Sequence, residues 1–194
     1  MEKLTFTTLY DQLAPQWDRR FPANLARLRC LVELGVPGPE LRILDAACGT
    51  GSLLPLLLEK QPSQVLAVDL SAGMLAQAQA RCQDPRVEFR EGDVMELQEG
   101  EFDCVLLCDA FQHFENRGSL IRKLQHLLAP GGRVTICYPY GRGAVNANYL
   151  TGNGVEALVP LPAARTLAGS MASCFNVDVV VDSPQLDAVG GVRL

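Results

Sequence analysis

Apolar residues in this chain gather into short, nearly continuous runs, separated by stretches that repeat on a helical period. The runs 41–45, 64–69 and 102–108 carry few polar residues before their last position, the pattern of strands covered on both faces of a parallel sheet. Before them, residues 4–14 predict a short amphipathic helix. Pro22–Gly35 predicts a second, with proline in the first turn and glycine at the exit. Strand and helix then alternate: strand 41–45, helix 52–60, strand 64–69, helix 72–83 with Ser71 as N-cap, strands 86–90 and 102–108, helix 117–129 and strand 132–138. Such alternation implies a parallel sheet with right-handed crossovers. Residues 139–163, rich in Gly, Asn, Pro and small residues, read mostly as loop. Two extended runs, 174–182 and 185–194, flank a turn at Ser183-Pro184.

Bulk properties narrow the class without choosing a function. A chain of 194 residues with no long linker reads as one domain, 1–194. Its 48% apolar and 20% charged residues are ordinary for a globular protein. Residues 1–3 begin no charged-then-apolar leader, so no signal peptide is expected. No apolar run reaches the length of a membrane span, and a net charge of −5 argues against binding nucleic acid. A cytoplasmic protein acting on something small is the expectation. The seven cysteines show neither CxxC nor zinc-like Cys/His spacing, so they read as reduced, mostly buried thiols, and no metal is expected.

The chemistry concentrates where the first strand ends. Ile43-Leu-Asp-Ala-Ala-Cys-Gly-Thr-Gly51 is a strand ending in Asp45, followed by a turn of small residues that runs into a helix. Such a turn lets backbone press against a bulky ligand, and the amides at the helix start face it. Asp69 closes the next strand at the edge where ligands sit in doubly wound sheets. A carboxylate there can accept from two ribose hydroxyls, or it can serve the following helix N-terminus instead. Asp93 follows a third short strand, and Cys108-Asp109 ends the fourth.

Taken together, these segments resemble the class I S-adenosylmethionine-dependent methyltransferases of the small-molecule type. Ile43–Gly51 is similar to that family's first motif, Val68–Ser71 to its second and Gly92–Val94 to its third. Phe102–Asp109 with Gln112–Phe114 is similar to the fourth, and Leu128–Gly132 to the approach to the fifth strand. One departure is Ala47, where the family often has glycine. The resemblance implies a Rossmann-like α/β fold, doubly wound, with a seven-stranded, mostly parallel sheet whose last strand is antiparallel. It also implies a division into an N-terminal helical lid (1–36), a cofactor-binding core (41–138) and an acceptor-side loop with terminal strands (139–194). The implied cofactor is S-adenosylmethionine, held by Asp45, Ala47, Cys48, Gly49, Gly51, Asp69, Leu70, Met74, Asp93, Val94 and Cys108, with Tyr10 and Trp17 folded over it.

Each position also has a plainer reading. Asp45 can hold loop amides, Asp93 and Val94 can be loop residues, and Tyr10 and Trp17 can anchor a terminal helix. His113 is the one conventional acid–base group near the expected reacting end, because His126 falls on a helix that should pack away; it is as readily a pocket wall. Phe111, Tyr138 and Tyr140 can line an acceptor pocket with His113, or pack the core. The reaction implied is in-line transfer of a methyl group to O, N or C of a small molecule, in which alignment and dryness supply most of the catalysis. Two alternatives stand: a non-catalytic or regulatory S-adenosylmethionine-binding protein, and a nicotinamide-dependent reductase. The latter lacks the Tyr-x-x-x-Lys pair of short-chain reductases.

Overall fold

The computed structural model describes residues 6–98, 100–150 and 159–194, with backbone alone at 148–150. Its strands are β1 (Arg42–Ala46), β2 (Gln64–Asp69), β3 (Val87–Glu91), β4 (Phe102–Cys108), β5 (Leu128–Tyr138), β6 (Phe175–Asp182) and β7 (Asp187–Arg193). They form one sheet in the order β3-β2-β1-β4-β5-β7-β6. The first five strands pair in parallel, while β7 runs antiparallel to both β5 and β6. The Rossmann-like α/β sheet with an antiparallel last strand is thus present as expected. The order reverses between β1 and β4, which puts the carboxyl ends of those two strands beside the crevice where such sheets take ligands.

Alternation along each strand divides the core into two layers. Ile43, Val65, Ala67, Cys104 and Leu106 face the helices α3 (Leu25–Gly35), α4 (Leu54–Glu59) and α5 (Ala72–Arg81). Leu44, Leu66, Val68, Val105 and Leu107 face α6 (Arg117–Leu127) and α8 (Ala164–Met171), together with Phe102, Phe111, Tyr138 and Phe175. Burial of both faces is what demands the continuous apolar runs.

Caps account for most boundary differences. Asn24 accepts from the Arg27 amide at 3.1 Å, so α3 starts at Leu25 rather than Pro22. Ser71 caps α5 as expected, accepting from the Met74 amide at 3.1 Å. Asn116 caps α6, and the chain passes from Leu127 straight into β5, so the strand begins four residues before the expected one. The reading of 139–163 as mostly loop is corrected at Arg142–Leu150, which forms α7; residues 151–158 lie outside the described residues. Gly141 starts that helix by accepting from the amides of Ala144 and Val145, and Val145 is fully buried, so tertiary packing outweighs a weak local pattern. Helix α8 lies in a stretch that the pattern left unassigned.

The first helix, α1 (Phe6–Leu13), leads through a 3₁₀ turn to α2 (Trp17–Arg20). Residues 4 and 5 of the expected helix lie outside the described residues. This segment lies along α5, because Asp11 accepts from the Ser71 hydroxyl at 2.6 Å and from the Gly73 amide at 2.9 Å.

Candidate functional site

The turn after β1 depends on left-handed backbone at three positions. Ala47 has φ 56°, Gly49 55° and Gly51 73°. A Cβ on Gly51 would meet Leu54 Cδ1 at 2.8 Å and Ala78 Cβ at 3.0 Å, so the turn is pressed against the start of α4 and against α5. At Gly49 a Cβ would meet nothing within 4 Å, so the turn is open there. Ala47 adopts the conformation that glycine takes freely, at a cost of about 1 kcal/mol or more.

Asp69 ties this turn to the next one. Its Oδ2 accepts from the Gly49 amide at 2.8 Å and its Oδ1 from the Ser71 amide at 2.9 Å. Burial pushes its carboxyl up, and those two amides hold it down in part. Each oxygen keeps a second lone pair, so the carboxylate both braces the turn and retains acceptor capacity. Asp45 is different. It is 1% exposed, its Oδ2 has no hydrogen-bond partner, and burial followed by the charge of Asp69 raises it to about 7. A buried, unsatisfied carboxyl oxygen at a strand's end is costly unless a ligand meets it.

The other expected cofactor residues are dispersed around this centre. Cys48 donates its amide to the Val68 carbonyl at 2.9 Å, and burial pushes its thiol well up. Leu70 is half exposed at the end of β2, whereas Met74 is fully buried. Asp93 accepts from the Met95 amide at 2.8 Å, capping a short 3₁₀ turn, and Val94 is buried behind it. The Gly92 amide donates to the Asp69 carbonyl at 3.0 Å, which joins the second and third motifs. Cys108 lies beside Cys137 of β5; that neighbouring thiol and burial raise it well above the usual thiol range.

Helices α1 and α2 cover this edge. The Thr50 hydroxyl donates to Asp18 at 2.7 Å, and Arg81 pairs with the same carboxylate. The Tyr10 hydroxyl lies 3.2 Å from His113 Nε2. The rings of Phe6, Tyr10, Trp17 and His113 form one cluster, with centroids 4.6–5.7 Å apart. Burial raises the Tyr10 hydroxyl, with Asp109 and Asp69 adding to the effect.

Beyond β4 the chain makes a polar network. Asp109 stands at φ 55°, burial raises its carboxyl to about 7, and the Tyr140 hydroxyl donates to its Oδ2. The Gln112 amide nitrogen donates to the Asp109 carbonyl at 2.9 Å, while its oxygen accepts from the Tyr138 hydroxyl at 2.5 Å. The same nitrogen lies 3.1 Å from His113 Nε2, so that ring nitrogen is the acceptor and the proton of the neutral imidazole sits on Nδ1. Burial lowers His113 to about 4. At neutral pH it is therefore an uncharged and weak base. Of the expected acceptor residues, Tyr140 and His113 reach this network at partly buried positions. Phe111 and Tyr138 are both 1% exposed inside the core.

Six residues of the site carry no role that the sequence alone assigned: Phe6, Asp11, Asp18, Thr50, Asp109 and Gln112. Asp109 offered one signal, a carboxylate at the end of a buried strand. Asp11, Asp18 and Thr50 offered none, since their partners lie 32 to 63 residues away; Phe6 meets His113 across the crevice, and Gln112 is placed by Tyr138, 26 residues on. A cavity of about 570 Å³ lies elsewhere, between α6 and α8. Among the described residues no helix is long and apolar enough to cross a membrane.

Comparison with known proteins agrees with this geometry. A family model described as a methyltransferase domain matches residues 43–132, from β1 to the turn inside β5. The demethylmenaquinone methyltransferase of Thermus thermophilus is 33% identical over 138 residues, 66% of this chain and 63% of that protein. The trans-aconitate 2-methyltransferase of Deinococcus radiodurans is 33% identical over 135 residues, 69% of this chain and 52% of that protein. The chain thus spans less than two thirds of the length of these relatives. Among solved structures, the N-methyltransferase NodS of Bradyrhizobium japonicum, in complex with S-adenosylhomocysteine, superposes with a TM-score of 0.76. That likeness covers 96% of this chain and 97% of that one at 13% identity, and so concerns the fold. Residues 43–132 thus match the methyltransferase-domain family, and the fold around them is the one seen in class I S-adenosylmethionine-dependent methyltransferases. The cofactor of that family is S-adenosylmethionine.

Proposed function

We propose that this protein transfers a methyl group from S-adenosylmethionine to a small molecule held under α1 and α2. The observation that carries the reading is the closure of the N-terminal aromatic segment over the crevice, fastened at Tyr10–His113 and Asp18–Thr50. A chamber roofed in that way suits a small acceptor better than a macromolecular one.

The residues fit the cofactor. Asp45 has a buried oxygen in need of a donor, which the cofactor's ammonium group would meet, directly or through water. The open face of Gly49, with Ala47, Cys48 and Gly51, would take the methionine and ribose portions; Asp69 and Leu70 would take the ribose. Asp93 and Val94 would receive the adenine, the Cys108 carbonyl would face the methionine end, and Met74 would support the site from within. When bound, the cofactor supplies a sulfonium methyl group open to attack from the acceptor side. Tyr10 and Trp17 cover that end with aromatic faces that favour a positive charge and exclude water. His113 shapes the acceptor chamber and bonds the lid. With all seven cysteines free, a reducing, cytoplasmic setting fits the chain.

Isothermal titration tests the reading. S-adenosylhomocysteine should bind in the micromolar range and NADH should not. Heat with NADH and none with S-adenosylhomocysteine would overturn it.

A further inference from the structure

Carboxyl groups gather at the crevice. Asp45 and Asp69 end adjacent parallel strands β1 and β2, and Asp109 follows β4 on the other side of β1. The charge of Asp69 acts on Asp45, that of Asp11 acts on Asp69, and both Asp45 and Asp109 act on Cys108 between them. Among the described residues, no lysine or arginine acts on any of the three. One of them, Asp45, also presents a buried oxygen without a partner. Tyr10 feels the charges of Asp109 and Asp69, and its ring clusters with those of Phe6, Trp17 and His113. Aromatic rings above carboxylates favour a cation and repel an anion.

Within this set Asp109 is the carboxylate nearest the acceptor side. It follows the fourth strand, two elements away from the glycine turn, and shares its surroundings with Tyr10, His113 and Tyr140. The Tyr140 hydroxyl occupies its Oδ2, while its Oδ1 has the Gln112 amide at 3.5 Å, the far limit of a hydrogen bond. That oxygen is in a position to accept from a ligand. Its left-handed backbone is strained for a non-glycine residue, though aspartate bears it better than most.

We propose that the acceptor is a small primary or secondary amine, bound as its ammonium ion, and that Asp109 takes the ammonium proton before transfer. The inference rests on the methyltransferase reading and extends it to the acceptor. One proton passes from nitrogen to the Asp109 carboxylate, leaving a neutral amine beside a neutral carboxylic acid. Burial favours that neutral pair over the ion pair. The nitrogen lone pair then forms the N–C bond to the methyl carbon as the C–S bond breaks, and its electrons stay on sulfur. The products are a methylated ammonium ion and a neutral thioether. Asp109, raised to about 7, is matched to this task, whereas His113 at about 4 is not.

Titration of the S-adenosylhomocysteine-loaded protein with matched ligands tests the proposal: phenethylamine, phenethyl alcohol and hydrocinnamate, then hexylamine, hexanol and hexanoate. The amines should bind at least about tenfold more tightly than the alcohols and acids. Their binding should strengthen as pH rises through about 7, where Asp109 ionises. Asp45 also titrates near 7, Asp69 is raised, and the Tyr10 hydroxyl and His113 are uncharged there, so the variant Asp109→Asn assigns the effect. Asparagine accepts the left-handed backbone, so the fold should survive. In Asp109→Asn the amine preference and its pH dependence should vanish, while affinity for S-adenosylhomocysteine stays within about twofold. Intact cofactor binding with acids or alcohols preferred, with no ligand bound, or with an unchanged Asp109→Asn overturns the amine proposal alone. Failure to bind S-adenosylhomocysteine at all overturns the methyltransferase reading with it.

Discussion

The hydroxyl of Tyr10 and Nε2 of His113, 103 residues apart in sequence, lie 3.2 Å from each other at the mouth of the crevice. This contact joins the N-terminal helix to the loop after the fourth strand. Because His113 Nε2 also receives the Gln112 amide, the imidazole is positioned from two sides while burial keeps it uncharged.

If His113 fastens and shapes rather than removes protons, Tyr10→Phe and His113→Ala should have similar effects and should not add. A double-mutant cycle should return a coupling of about 0.5–1.5 kcal/mol, the size of one neutral hydrogen bond. The pH–rate profile of the parent should show no inflection near 6.5, because His113 titrates at about 4. A loss of about 10²-fold or more confined to acceptors that must lose a proton would instead make His113 the base.

Asp69 braces the turn through two backbone amides, so its removal should be felt without ligand. Asp69→Ala strands the amides of Gly49 and Ser71, and apo stability should fall by about 1–3 kcal/mol in denaturant titration. S-adenosylhomocysteine binding should weaken strongly in the same variant. Unchanged apo stability would show that water replaces the carboxylate at both amides.

The glycines of the turn should respond differently. Gly51→Ala combines φ 73° with a Cβ 2.8 Å from Leu54 and 3.0 Å from Ala78, and should cost on the order of 2–4 kcal/mol. Gly49→Ala meets open space and should cost only about 1–2 kcal/mol of backbone strain, with the larger loss in cofactor affinity. Ala47→Gly relieves φ 56° and should stabilise by up to about 1 kcal/mol, since the added freedom of the unfolded chain offsets part of the gain. Thermal melts of the three variants give the ranking directly.

Buried carboxyls set the pH dependence of the apo protein. Burial raises Asp45 and Asp109 to about 7 and Asp187 to about 6, so in the folded state they keep protons that the unfolded chain has released. Stability from these groups is fully present below about pH 4 and is lost as pH rises through 6–7. His113 works against them: its depressed value favours the fold above about pH 6.5 and costs stability as pH falls towards 4. Three carboxyls against one imidazole predict a higher melting temperature near pH 5 than near pH 8. Asp45→Asn should flatten that slope and raise the melting temperature at pH 8, while weakening the cofactor. A melting temperature that rises steadily from pH 5 to pH 8 would contradict the assignment.

Much of this protein was legible from local pattern. Strands buried on both faces need unbroken apolar runs, a strand-to-helix turn against a ligand needs Gly49 and Gly51, and Ser71 caps a helix whatever the rest of the chain does. Those demands are met by neighbours in sequence, so the parallel sheet, the crevice edge and the order of its motifs could be read from the residues alone. Helix α7 could not, because its weak local propensity is supplemented by burying Val145 against distant strands. Nor could the charge states: Asp45, Asp69 and Asp109 look alike as strand-end carboxylates, and burial and partners distinguish them only after folding. Two amides brace Asp69, Asp45 keeps an unpaired oxygen, and Tyr140 holds Asp109. Tertiary structure alone decided that His113 stays neutral beneath Tyr10, because desolvation is set by what the chain brings from a hundred residues away.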